Sequence, residues 1–319
     1  MTSARRTDAA PASSNEVTMR FFFHYPETAG YDGDVLDAGP LRDVAVAVER
    51  AGFDGFSLSE HPIPGARWLA AGGHQTLDPF VSLGFVAAAT ERLKLLTYLA
   101  VAPYRNPFLL AKSAATLDKL SGGRAIVGLG TGYQKSEFHA LGVDFEERNA
   151  LFDEALDVLP LHWSGEPFSY EGRHFNARDV VARPKPVQSP IPIWIGGNSK
   201  LTQRRVGQRA QGWIPMSGGG ELNSTARTPE LGGFDELAGK IAAIRSAASE
   251  AGRTEHIDVV YSYNDTTILN PTADADRHRE VIAHLEKIGI DWVTVSSRSN
   301  EASATLDFIE GFGATYLRG

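Results

Sequence analysis

Residues able to move a proton or hold a small anion gather at a few points of this chain. Glu60 and His61 stand side by side in GFSLSEHP, residues 55–62. An imidazole exchanges protons near neutral pH, which makes His61 a candidate acid–base group; the alternative is a structural histidine at the rim of the fold. Neighbours on a strand point to opposite faces, so His61 is expected to face a pocket. Glu60 is then expected to orient its neighbours or take part in substrate binding. GLGTG (residues 128–132) and GGNSK (residues 196–200) offer backbone N–H groups with no side chain in the way. GGNSK also opens a short helical pattern, and glycines with a serine hydroxyl at a helix N-terminus suit a phosphate. A plain tight strand-to-helix turn is the alternative at both places. Taken together, they accommodate a flat ring over one and its phosphate tail at the other.

Other chemistries lack their residues. With no cysteine in the chain, disulfides, thiolate metal sites and a cysteine nucleophile are excluded, and a reducing cytoplasm fits. There is no His-Glu-x-x-His metal helix, no G-x-S-x-G elbow and no Walker loop. Ligands scattered over barrel strands leave a metal hydrolase as a remote alternative; no metal residue is assigned. His74 and His139 sit in polar stretches and are expected to be solvated. The net charge of −8 and pI of about 5.6 argue against a nucleic-acid partner, which needs a basic footprint. No apolar run reaches membrane length.

Chemistry of this kind needs a scaffold, and the hydrophobic pattern supplies one. Residues 1–18, rich in Ala, Ser, Thr and Pro, are expected to form a disordered tail. Apolar runs of strand length then recur at MRFFFHY (19–25), GFSLSEHP (55–62), LKLLTYLAVAP (93–103), RAIVGLG (124–130), IPIWIGG (191–197), GWIPM (212–216), IDVVYSY (257–263) and DWVTVS (291–296). Helical patterns separate nearly all of them: 39–51 stopped by Gly52, 79–91 capped by Asp78, 107–120, 149–163, 200–210, 234–251, 277–288 and 301–312. Apolar strands each followed by a helix predict a single (β/α)8 (TIM) barrel spanning 19–319. Insertion loops are expected at about 62–76, 164–190 (a small hairpin and an extended arm) and 217–233. In such a barrel the strand exits carry the chemistry, and these hold His24, His61, Tyr98, Gly130, Gly196 and Ser217.

The residues RNPFLLAKSAATLDKLSGGRAIVGLGTGYQKSEFHALGVDFEERNALFDEALDVL and ARPKPVQSPIPIWIGGNS resemble the two signatures of the bacterial luciferase-like family, best in its branch of deazaflavin (coenzyme F420)-dependent oxidoreductases. The resemblance implies F420, with FMN as the alternative cofactor, and hydride transfer to or from a small organic substrate. Trp68 and Ile63 suggest an apolar wall for it. Alternatives are a reduced-FMN monooxygenase using O2 and a noncatalytic flavin-binding barrel. The resemblance places a non-prolyl cis peptide at Tyr98–Leu99 behind the ring and matches Glu60-His61 to the acidic-His pair near the reacting carbon. It assigns Asn106, Gly130, Thr131, Gly132 and Ser217 to the cofactor, with Gly196, Gly197, Asn198 and Ser199 as the phosphate loop. Thr131 replaces the Arg of FMN enzymes. Tyr133 stands where sugar-phosphate dehydrogenases carry an acidic Glu, and Gly65 where they carry a Trp. A sugar phosphate is thus not the implied substrate, and Tyr133 becomes a candidate proton donor or pocket wall. A flavin or F420 reductase supplying reduced cofactor is an expected partner, as is a second copy joined through the helix beginning at Pro79.

Overall fold

A computed structural model describes residues 19–27, 33–217 and 228–318. The barrel strands are β1 (Arg20–His24), β2 (Gly55–Leu58), β3 (Lys94–Thr97) continued by β4 (Ala100–Val101), β5 (Ala125–Gly130), β8 (Ile193–Gly196), β9 (Gly212–Ile214), β10 (Asp258–Ser262) and β11 (Trp292–Val295). All pair in parallel in the order β3-β2-β1-β11-β10-β9-β8-β5-β4, and a β3–β5 pairing closes the ring. The inserted strands β6 (Phe168–Glu171) and β7 (Asn176–Val180) form the expected antiparallel hairpin.

Side-chain alternation builds two cores. Outward residues such as Phe21, Phe23, Val127 and Ile195 pack against the surrounding helices. Inward residues Phe22, Leu96, Ile126, Trp194, Ile214, Val260 and Trp292 fill the barrel. Burying a side chain of this size stabilises the fold by roughly 1.5–3 kcal/mol. Phe22 occupies its place because β2 begins with glycine: a Cβ at Gly55 would lie 2.1 Å from the Phe22 ring.

The helices follow their signals. α1 (Leu41–Ala51) ends at Gly52 in the left-handed region, as only a residue without Cβ does cheaply. α2 is the short Ala66–Ala70. Asp78 accepts from Val81 N–H at the start of α3 (Pro79–Ala89), and Asn106 likewise from Phe108 N–H at α4 (Pro107–Leu120). Next come α5 (Lys135–Ala140), α6 (Arg148–Trp163), α7 (Lys200–Arg209), α8 (Phe234–Glu250), α9 (Ala275–Lys287) and α10 (Ala302–Phe312). The third barrel strand is interrupted at a cis Tyr98–Leu99 peptide, where the family resemblance placed one. The disordered tail expected over 1–18 and most of the 217–233 insertion lie outside the described residues.

Candidate active site

Above the barrel's inner core the next inward layer changes character. β1 offers His24, β2 Ser57, β10 Ser262 and β11 Thr294, all at the carboxyl ends of their strands. On β5 and β8 the corresponding inward residues are Gly130 and Gly196. A Cβ at Gly196 would lie 2.1 Å from Leu99 Cδ1, and one at Gly130 would lie 3.3 Å from it. These two glycines thus seat the Leu99 side chain. The other glycines of GLGTG serve the chain itself: a Cβ at Gly128 would meet the Thr97 carbonyl oxygen at 2.0 Å, and Gly132 turns at φ +77° beside Phe138 and Val101. Glycine here answers both to a turn and to a close approach.

A cavity of about 330 Å³ opens over this layer, lined among others by Glu60, His61, Tyr98, Leu99, Thr131, Tyr133, Ser199, Met216 and Ser217. Its size is that of a small-molecule site. His61 is buried in its wall. Glu137 Oε2 lies 3.2 Å from His61 Nδ1, and the Tyr133 hydroxyl lies 3.2 Å from Nε2. The backbone N–H of His61 donates to Thr76 Oγ1. Glu137 comes from the first turn of α5 and is fully buried; it also accepts from the Tyr104 hydroxyl at 2.7 Å. Burial and the Glu137 charge push the hydroxyls of Tyr133 and Tyr104 well above their usual range, keeping both protonated. The Trp68 ring packs on the imidazole with centroids 4.5 Å apart. An indole from α2 thus covers the imidazole.

A second histidine–carboxylate group adjoins the first. Glu27, just past β1, meets His74 Nε2 at 2.8 Å and His24 Nε2 at 3.3 Å, and accepts from Ser59 N–H at 3.1 Å. Burial pushes the Glu27 carboxyl up, but the charges and hydrogen bonds of His74 and His24 outweigh it and hold it well below the usual range. For His74 burial acts downward, and Glu27 and then Glu137 raise the imidazole above its ordinary value. The His61 and His74 rings lie edge to face, 5.0 Å apart.

Several expectations need correction. Glu60 and His61 do not alternate about a pocket, because β2 stops at Leu58 and both lie in the turn beyond it; both line the cavity. Glu60 is committed to structure: it accepts from Val101 N–H at 2.6 Å and pairs with Arg105. Burial raises its carboxyl, against the opposing pull of Arg105. Asn106 is exposed, and its side chain caps α4 away from the cavity. Asn198 is buried but turned inward to the loop, donating to Met216 O and Pro229 O and accepting from Met216 N–H. The amides of Gly197 and Asn198 are also engaged, by Ile214 O and Thr228 Oγ1. His74, expected in solvent, belongs to the site, whereas His139 is exposed on α5.

The sequence profile of the luciferase-like monooxygenase family matches residues 19–275. The chain belongs to this family. Among luciferase-like relatives, it is 32% identical over 260 residues to an F420-dependent glucose-6-phosphate dehydrogenase of Microbacterium testaceum, covering 77% of this chain and 72% of that one. A similarly described enzyme of Segniliparus rotundus is 27% identical and matches 92% of this chain and 91% of its own. Among solved structures, an F420-dependent secondary alcohol dehydrogenase in complex with an F420-acetone adduct superposes with a TM-score of 0.73 at 17% identity, over 94% of this chain and 99% of that one. The coenzyme F420-dependent tetrahydromethanopterin reductase of Methanopyrus kandleri gives 0.66 at 18%, over 93% and 98%. At such identities these likenesses speak for the luciferase-like barrel alone. Within that fold, Glu27, His74, Glu137 and Tyr104 are the site residues that sequence reasoning passed over.

Proposed function

We propose that this protein is an F420-dependent oxidoreductase that transfers a hydride between the deazaflavin and a small organic substrate, with His61 at the reacting centre. One observation carries the reading. His61 lies buried in the cavity wall, one ring nitrogen facing a buried carboxylate and the other facing a phenol. Relatives that match over most of their own length are described as F420-dependent glucose-6-phosphate dehydrogenases.

The residues present fit such a cofactor. Leu99, Val101, Ile214 and Met216 give the cavity an apolar floor and side. Gly130 and Gly196 keep bulk away from it. At the start of α7 the Ser199 and Thr202 hydroxyls, 2.9 Å apart, face the same cavity. A phosphate would be held by these hydroxyls and the helix N-terminus, since the Gly197 and Asn198 amides are already used. When bound, the deazaflavin supplies a ring carbon that gives or accepts a hydride.

The protein's own part is proton management and water exclusion. Glu137 fixes the proton of His61 on Nδ1, which leaves Nε2 as the nitrogen able to take a proton from a substrate hydroxyl or return it. Tyr133 stands at that nitrogen and is kept as a proton donor by its burial. Glu60 acts at one remove, holding Val101 and Arg105 beside the floor. Trp68, which packs on the His61 ring, is assigned with Ile63 to the apolar side of the substrate space. The insertion segments near 62–76, 164–190 and 217–233 are assigned to substrate choice. We also assign a cytoplasmic setting, supply of reduced cofactor by a separate reductase, and a homodimer through α3, whose Val81 and Phe85 are exposed.

Titration of the purified protein with F420 and, separately, FMN tests this. Ring fluorescence of F420 is expected to be quenched at micromolar protein, with no response from FMN. Tight FMN binding with none of F420 would replace the reading by that of a reduced-FMN monooxygenase.

A further inference from the structure

A second cavity, about 640 Å³, lies over the ends of β1, β10 and β11. It shares His24, Glu27, His74, Tyr98, Ser262 and Asn264 with the one around His61. In the closed ring β1 stands opposite β8, so this space faces away from the Gly196–Ser199 turn. A phosphate docked at that turn would lie across the barrel mouth from this space.

Arg298 lies just beyond β11 and lines this second cavity. It is the only lysine or arginine to do so among the described residues, and no carboxylate there comes within 4.0 Å of its guanidinium. Its backbone is left-handed, φ +52°, a conformation uncommon outside Gly, Asn and Asp and a frequent mark of a functional position. The side chain is held in place: Nη2 donates to Asn264 Oδ1 at 2.8 Å. Asn264 in turn donates to the Ser217 hydroxyl at 3.2 Å, and Ser217 donates to Ser262 O. Three strand exits thus fix one cation. The other charged groups on the cavity are accounted for. Glu27 is paired with His24 and His74, and Glu301, exposed like Arg298 itself, lies at the rim.

We infer that Arg298 is a substrate-anchoring residue, and that the substrate carries a carboxylate which it binds while the reacting carbon lies near His61. A planar guanidinium with free N–H groups pairs with a carboxylate through two parallel hydrogen bonds. One fixed positive charge matches a monoanion; a phosphate dianion would call for a second cation. This gives the substrate an acidic end to set beside the apolar wall at Trp68. The assignment of substrate side rests on the proposed redox site; the anion site itself does not.

The test uses benzoate and its neutral counterpart, benzyl alcohol, titrated by calorimetry into the protein with and without F420. Benzoate is expected to bind at least ten times more tightly than benzyl alcohol in both forms. R298Q should weaken benzoate at least tenfold, R298K should recover part of the loss, and the affinities for benzyl alcohol and F420 should stay within twofold. Equal affinity of the unaltered protein for the two probes would overturn the proposal without any variant. Undiminished benzoate binding by R298Q would overturn it too. A loss of F420 affinity in R298Q with benzoate unchanged would assign the cation to the cofactor's anionic tail and overturn it as well. Should F420 fail to bind at all, the comparison in unloaded protein still decides the anion site, so the two readings fail separately.

Discussion

The two rims of the barrel hold similar residues and put them to different ends. At the amino ends of the strands, His256 Nε2 meets Asp291 Oδ1 at 2.7 Å, and Arg20 meets Asp258 Oδ1 at 2.7 Å. The ligand atoms of His256, Asp258 and Asp291 lie within 4.8 Å of one another. Yet each acidic group there has a partner. Asp291 also accepts from Val259 N–H, Asp258 also from Trp292 Nε1, and the Arg20 guanidinium lies over the Trp292 ring. The cluster ties strand starts together, and none of its residues lines either cavity at the carboxyl rim. At the carboxyl rim the His61–Glu137 pair is fully buried and borders a hollow. A histidine–carboxylate pair becomes chemical when it has somewhere to deliver a proton. Residue type alone does not separate the two rims.

Filling the upper rim should have the largest effect. Gly196→Val would push into Leu99 and is expected to weaken F420 binding at least ~100-fold, equivalent to about 2.7 kcal/mol, measured by fluorescence titration; unchanged affinity would place the ring elsewhere. Next comes the buried carboxylate. Glu137→Gln removes charged hydrogen bonds worth about 1.5–3 kcal/mol, so the single-turnover rate should fall about tenfold to 100-fold. Less should come from the neighbouring pair. The raised His74 imidazole contributes stability that is complete below its ordinary pKa of 6.5 and lost as pH rises through the folded-state value. Glu27, held low, contributes above its ordinary 4.5 and loses it only as pH falls through its folded-state value. The deficit of His74→Gln in melting temperature should therefore be widest between these limits and shrink on going alkaline. A deficit that grows toward alkaline pH would refute the ion pair. Least of all should come from the lower rim, where Asp258→Asn breaks a half-exposed pair and should cost at most about 1 kcal/mol of unfolding free energy.

How much of this contrast was readable beforehand depends on range. Local signals carried the framework: Gly52 and Asp78-Pro79 mark helix ends within one or two residues, and the apolar runs mark all the barrel strands. Alternation also explains Gly130 and Gly196, which stand two residues beyond the inward Gly128 and Trp194. The site's second layer was not legible in this way. Glu137 lies 76 residues from His61, and nothing local distinguishes it from a solvated helix glutamate. Glu27 and His74 are polar residues in loops, joined only when β1 and the 62–76 segment meet over the barrel mouth. Asn106 misled in the opposite direction. A residue placed by resemblance near a cofactor proved to be occupied with capping, a task that any strand-to-helix turn sets.

The most direct test pairs the two rims. F420 affinity and the single-turnover rate of F420 reduction by the best donor in a panel of hydroxy acids would be measured for His61→Ala and His256→Ala together. The account predicts a rate at least ~100-fold lower for the first, with affinity within threefold and with His256→Ala indistinguishable from the parent. A His61→Ala enzyme that keeps its rate would contradict it.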